Sequence, residues 1–253
     1  MTWDPDRYLN WADHRMRPGL ELLARVPDEG IVRIVDLGCG TGALTAAIVA
    51  RWPDASVTGV DASAPMVERA RLDHPTIDFV QADITGWEPK GKVDLIYSNA
   101  ALHWLGDHEK LFARLRSWLS PRGVLAVQMP DNWWEPTHRV PAEVLESLEW
   151  PERARTALME DRVASPAEYA AWVQPAEVDA WRTTYYQHMA GEHPVWDWVT
   201  STLLRPVLES LEGDQLDRFE RLCQTQYREA YPPDEDGLTT LPFSRYFLVA
   251  RAG

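Results

Sequence analysis

From residue 31 onward, short runs rich in β-branched residues alternate with longer stretches in which apolar residues return every three or four positions. The short runs are IVRIVDL (31–37), SVTGVD (56–61), IDFVQAD (77–83), VDLIYSN (93–99) and GVLAVQM (123–129), and each predicts a strand. Between them, TGALTAAIVARW, PMVERARL and DHEKLFARLRSWL carry helical spacing. In the last of these, Leu111, Leu115, Trp118 and Leu119 share a face before the Pro-Gly stop SPRG. Strands separated by helices of that length predict a parallel sheet covered on both faces, with a ligand seated beyond the carboxyl ends of the strands.

After Met129 the rhythm changes. PDNWWEPTHRVPAEVLESLEWPERARTALME reads as loop and short helices, VDAWRTTYYQHM (178–189) as a strand, and SRYFLVARA (244–252) as a closing strand. VWDWVTSTLLRPVLESL and DQLDRFERLCQTQYREAY read as amphipathic helices. The expected organisation is one α/β domain over 1–253: an N-terminal helical cap (1–30), a core (31–129), and helical additions with closing strands (130–253).

Composition narrows the class of protein. With 45% hydrophobic and 25% charged residues, the chain is an ordinary globular sequence that can bury a sizeable core. Its formal charge of −14 argues against a general nucleic-acid or membrane surface, and obliges an anionic substrate to find a local basic pocket. Two cysteines, Cys39 and Cys223, make no disulfide framework and suggest no metal cluster. The opening MTWDPDRYLNW has no apolar leader and no stretch is long enough to span a bilayer, so the cytoplasm is the expected compartment. Thirteen tryptophans, most of them after Trp104, point to an aromatic-walled enclosure in the second half.

The chemistry concentrates in DLGCGTG (36–42), a glycine-rich turn between the first strand and a helix. Phosphates, dinucleotides and sulfonium cofactors are all held by such turns, and Gly38, Gly40 and Ala43 satisfy the dinucleotide pattern G-x-G-x-x-A. The acids at the strand ends change the picture. Asp61 closes the second strand, 23 residues beyond Gly38, where a carboxylate can accept both hydroxyls of a ribose. Asp83 closes the third, where a carboxylate can accept an exocyclic adenine amine, and Asp36 puts negative charge beside the loop itself. That charge repels a pyrophosphate and welcomes a ligand carrying an ammonium and a sulfonium, so S-adenosylmethionine suits the loop better than NAD.

VDLGCGTG, GVDAS, QADI and DLIYSNAALHWL, in that order, resemble the successive motifs of class I S-adenosylmethionine-dependent methyltransferases over 31–129. The resemblance implies a Rossmann-like, mostly parallel sheet with an antiparallel last strand and helical additions over the active site. It also implies cofactor contacts from Asp36, Gly38, Cys39 and Gly40 on the loop, and from Asp61 to the ribose. Ala62 and Met66 would lie by the adenine, Asp83 and Ile84 along its edge, and Asn99 and Ala100 at the amino group. Along nearly the whole chain, DPDRYLNWADHRMRPGLELLARVP, NAALHWLGDHEKLF, GVLAVQMPDNWWEPTH and VDAWRTTYYQHM resemble the methyltransferases that esterify a carboxylate of trans-aconitate, a small tricarboxylate.

A carboxylic acid has a pKa of about 4, so such an acceptor is ionised at neutral pH and needs no general base. It needs in-line placement and exclusion of water, and no catalytic dyad is expected. What must be supplied is a hold on the other carboxylates, for which arginine's planar fork is suited. Candidates are Arg15 and Arg17 before Pro18, His103 and Trp104 after the fourth strand, and Trp133 and His138 in NWWEPTH. Arg182 and Tyr186 on WRTTYY complete the set, with period-two spacing placing both on one face with Thr184. The rivals are a carboxyl methyltransferase of another acid, such as a malonyl thioester, a binding protein that does not turn over, and an NAD-linked dehydrogenase.

Overall fold

The computed structural model describes residues 12–147, 150–158, 163–201 and 203–253, with backbone only for 12–15 and Ala157. In chain order the elements around the glycine loop are α1 (Ala12–Arg25), β1 (Arg33–Leu37), α2 (Ala43–Arg51), β2 (Ser56–Asp61), α3 (Ala64–Asp73), β3 (Asp78–Gln81) and β4 (Val93–Asn99). They continue with α4 (His108–Trp118), β5 (Leu119–Pro130), α5 (Pro136–Ser147), α6 (Glu152–Ala157), α7 (Pro166–Trp172) and β6 (Ala176–Met189). The last are α8 (Pro194–Thr200), α9 (Arg205–Leu208), α10 (Asp214–Ala230) and β7 (Thr239–Ala252).

Seven strands make one sheet in the order β3-β2-β1-β4-β5-β7-β6. Strands β1 to β5 pair in parallel, and β7 runs antiparallel to β5, as the resemblance implies. Alternation along the strands sorts side chains onto two faces. Val35, Leu37, Ile96, Leu125, Val127, Tyr246 and Leu248 lie on one, packed with Leu111, Phe112 and Leu115 of α4 and Tyr169 of α7. Asp36, Tyr97, Gln128 and Phe247 take the other, over which α1 lies. Gly19 of α1 lets that helix approach: the Tyr97 hydroxyl donates to the Gly19 carbonyl at 2.7 Å, and a Cβ there would meet Leu44 Cδ1 at 2.5 Å.

Contacts divide the described residues into two compact units. One takes those up to Pro130, those of α7 and of β6 as far as Thr183, and Arg245–Gly253; the other takes the remainder. In the second, α5 and α10 pack together and the Tyr227 hydroxyl donates to the Thr137 carbonyl at 3.0 Å.

Three elements differ from the sequence expectation, each for a local reason. SPRG does not separate helix from strand: β5 starts at Leu119 directly after α4, and the ladder slips between Val93 and Leu95, with Arg122 at φ 65°. The helix expected over 195–211 is two, because Pro206 lacks an amide hydrogen and is tolerated only in a first turn, that of α9. The helical cap expected over 1–30 ends at Arg25, because Pro27 disfavours helix at the residue before it.

Candidate active site

A cleft of about 300 Å³ opens where β1, β2 and β4 end. Gly38 and Gly40 line it from the loop, Asp61, Ala62 and Met66 from β2 and the start of α3. Asp83 and Ile84 come from the segment after β3, and Asn99 and Ala100 from the end of β4. Ala101, Trp104 and Leu105 also line it and extend the set expected for the cofactor. Trp104, expected on the acceptor side, therefore belongs to this wall.

The loop is held before any ligand arrives. Gly38 and Cys39 amides both donate to the Val60 carbonyl, at 2.7 and 3.1 Å. Gly38 sits at φ 76°, and a Cβ on it would lie 2.1 Å from that of Ala101, so the two strand ends can meet only over a glycine. Gly40, at φ 55°, is different: a Cβ there would have no atom within 4 Å, and the open space faces the cleft. Asp61 ties the loop to β2, its Oδ2 accepting from the Gly40 amide at 2.9 Å and its Oδ1 from the Ser63 amide at 2.8 Å. Each oxygen keeps lone-pair capacity for a further donor.

Asp83 Oδ1 accepts from the amide and hydroxyl of Thr85, both at 2.7 Å, and these bonds hold its carboxyl below the usual carboxylate range. Ala100 adopts φ 53°, a left-handed backbone uncommon for alanine, with its amide on the Gln128 carbonyl at 2.9 Å. The buried Oδ1 of Asn99 has no hydrogen-bond partner within the protein. A free acceptor at Asn99, carboxylates at Asp61 and Asp83, and open space over Gly40 suit the ammonium, ribose and adenine of S-adenosylmethionine.

Two residues of the expected cofactor set do not line the cleft. Asp36 is buried beneath the loop, where the Thr45 hydroxyl donates to it at 2.6 Å. Burial is the main cause lifting its pKa to about 7, with the neighbouring Asp61 adding to the effect. It is therefore not the standing charge that the sequence argument placed beside the loop. Cys39 turns its thiol into the cluster of Val67, Ala70 and Phe79, and burial raises its pKa far out of the working range.

The acceptor-side candidates are scattered. Arg15 has no described side chain, and Arg17 is exposed, its Nε 2.8 Å from Glu21 Oε1. His103 is buried, its ring 4.9 Å from that of Trp104. Arg182 and Tyr186 do share a face of β6 with Thr184, and it is the exposed face, Tyr186 being 67% accessible. Within the second unit, Trp133 and His138 form an edge-on pair 4.8 Å apart, and the buried Trp133 Nε1 has no partner. Burial lowers the His138 pKa to about 4, so this ring is neutral at physiological pH and offers a carboxylate no charge.

A family model described as "Methyltransferase domain" matches residues 34–123. The trans-aconitate 2-methyltransferase of Escherichia fergusonii is 47% identical over 251 residues, 98% of each chain. That of Escherichia coli O139:H28 has the same identity and coverage. The chain belongs to the trans-aconitate 2-methyltransferase family. Among solved structures, an S-adenosylmethionine-dependent methyltransferase from Mesorhizobium loti superposes with a TM-score of 0.51 at 22% identity, covering 92% of this chain and 96% of that one. At that identity the likeness concerns the fold.

For a member of the trans-aconitate 2-methyltransferase family, S-adenosylmethionine is the cofactor, and the dehydrogenase reading is set aside. Among the described residues no three His, Cys, Asp or Glu side chains gather as a metal site, and no helix is long and apolar enough to cross a membrane. The sequence reasoning passed over two polar residues on this sheet. Gln128 is fully buried on β5 beside Asn99, and Arg245, 5% exposed, pairs with Pro130 where β5 ends. The available signal was a polar residue near the end of each of two largely apolar runs, Gln128 in GVLAVQM and Arg245 in SRYFLVARA.

Proposed function

We propose that this chain methylates one carboxylate of trans-aconitate, giving the monomethyl ester and S-adenosylhomocysteine. The observation that carries the reading is 47% identity along 98% of both chains, which extends beyond the cofactor motifs into the segments where methyltransferases differ by substrate. When bound, S-adenosylmethionine would supply a methyl activated on a sulfonium, with a neutral thioether as its leaving group. The chain's own work is to bind and to place. Asp61, Asp83 and Asn99 fix the cofactor's polar ends, while Trp104 and Leu105 wall the cleft against water. An acceptor already ionised at neutral pH asks for no proton transfer.

The buried free thiols Cys39 and Cys223 suit a reducing compartment, and we place the reaction in the cytoplasm. The test is transfer of labelled methyl from S-adenosylmethionine to trans-aconitate, with cis-aconitate, citrate, isocitrate and a malonyl thioester in parallel. A base-labile methyl ester formed preferentially from trans-aconitate is expected. Preference for the malonyl thioester, or bound cofactor with no transfer to any acid, overturns the proposal in favour of the rival enzyme or of a binding protein.

A further inference from the structure

We infer that Gln128 and Arg245, neighbours on β5 and β7, form the carboxylate-recognition face for the acceptor. The inference rests on the proposed function and names the groups that hold the polycarboxylate.

Strand register places them. Gln128 pairs with Asn99 of β4 on one side and with Phe247 of β7 on the other, so all three side chains leave the same face of the sheet. Arg245 pairs with Pro130, one pleat nearer the carboxyl end of β5, and so shares that face. Asn99 lines the cofactor cleft, which makes Gln128 the next strand outward from the cofactor's amino end and Arg245 the one after it. An acceptor reaching the methyl group from the β5 side would lie along this line.

Burial sets these two apart from the other candidates. Gln128 is 0% exposed, and neither its Oε1 nor its Nε2 has a hydrogen-bond partner. A buried amide open at both ends is costly and calls for a reason, since buried polar groups are nearly always paired. Arg245 is 5% exposed, whereas Arg17 is mostly exposed to solvent. A guanidinium kept out of water binds a carboxylate more strongly than one at the surface, and its planar fork takes both oxygens. Two donors set diagonally on adjacent strands, one cationic, match an acid with several carboxylates better than a malonyl thioester, whose one carboxylate is the group to be methylated. In a protein of net charge −14, a sheltered cation of this kind supplies the local basic pocket that an anionic substrate requires.

The test uses the full chain and three variants, Gln128→Leu, Gln128→Glu and Arg245→Gln. S-adenosylhomocysteine affinity is read by calorimetry, stability by Tm, and KM for trans-aconitate at saturating S-adenosylmethionine. Gln128→Leu is expected to raise Tm by a few degrees, because it removes an unpaired buried amide, and to raise KM about tenfold. Gln128→Glu and Arg245→Gln are expected to raise KM about tenfold to a hundredfold, with S-adenosylhomocysteine affinity within about twofold of the parent. A purely structural role predicts the reverse for Gln128→Leu, a lower Tm with KM unchanged, and that result overturns the inference. If Arg245→Gln does not fold, Gln128→Leu decides alone. Parent protein that methylates trans-aconitate while the variants keep its KM defeats the inference and leaves the proposed function standing. Parent protein that neither binds nor methylates the acid defeats both.

Discussion

The β1–β4 end of the sheet and its β5–β7 side face neighbouring tasks in different states of readiness. At the first, the carboxylates and the loop are already bonded, although Asn99 keeps an open Oδ1: Asp61 holds two amides, Asp83 holds Thr85 twice, and the loop amides rest on Val60. At the second, Gln128 is buried with its amide open at both ends. A site assembled from main-chain bonds is complete without its ligand, so the cofactor meets little reorganisation. A site assembled from buried side chains is stable only in part until an anion satisfies it. The difference predicts that damage on the first side will show in cofactor affinity, and damage on the second in the acceptor alone.

The largest effect expected is from Asp61→Ala. It removes the acceptor of the Gly40 and Ser63 amides together with the ribose contact, and S-adenosylhomocysteine should bind about a hundredfold more weakly or worse by calorimetry. The two loop glycines then separate folding from binding. Gly38→Ala forces a Cβ against Ala101 and should cost about 2–4 kcal/mol of stability, seen as a Tm lower by ten degrees or so. Gly40→Ala meets no atom, so it should cost only about 1 kcal/mol while weakening S-adenosylhomocysteine about tenfold by filling the space above the loop. Equal losses of Tm in the two variants would break the distinction.

A smaller effect concerns pH. The folded chain keeps the Asp36 proton up to about pH 7, whereas an unfolded aspartate loses it near its ordinary value of 3.8. The stability this group contributes is therefore fully present below about pH 4 and is lost as pH rises towards and through about 7. Asp36→Asn has no such dependence, so the fall in Tm between pH 5 and pH 7.5 should be shallower in the variant than in the parent. Smallest of all is Arg17→Ala. Its exposed pair with Glu21 is worth little, and KM for trans-aconitate should stay within about twofold.

The same division explains what could be read from the chain. Glycines at forced backbone angles and acids at strand ends have a fixed spacing, so Gly38, Gly40, Asp61 and Asp83 stood out, and all four line the cleft. The five parallel strands of the core and the shared face of Arg182 and Tyr186 followed from periodicity. What periodicity does not carry is which of the two faces is covered, and β6 turns Arg182 and Tyr186 to its open one. Nor does a sequence show desolvation. Asp36 reads from the sequence as a charge beside the loop, and burial moves its pKa into the neutral range. Arg245 went unnoticed because only its pairing with Pro130, across more than a hundred residues of chain, brings it to the end of β5.

The most direct test of the contrast is a pair of measurements on two proteins, Asp61→Ala and Gln128→Glu: S-adenosylhomocysteine affinity and KM for trans-aconitate. Asp61→Ala should lose cofactor affinity, with KM at saturating cofactor within about threefold of the parent, and Gln128→Glu should keep cofactor affinity and lose the acceptor. If both quantities fall together in both variants, the two sides form a single site and the proposed division of labour is wrong.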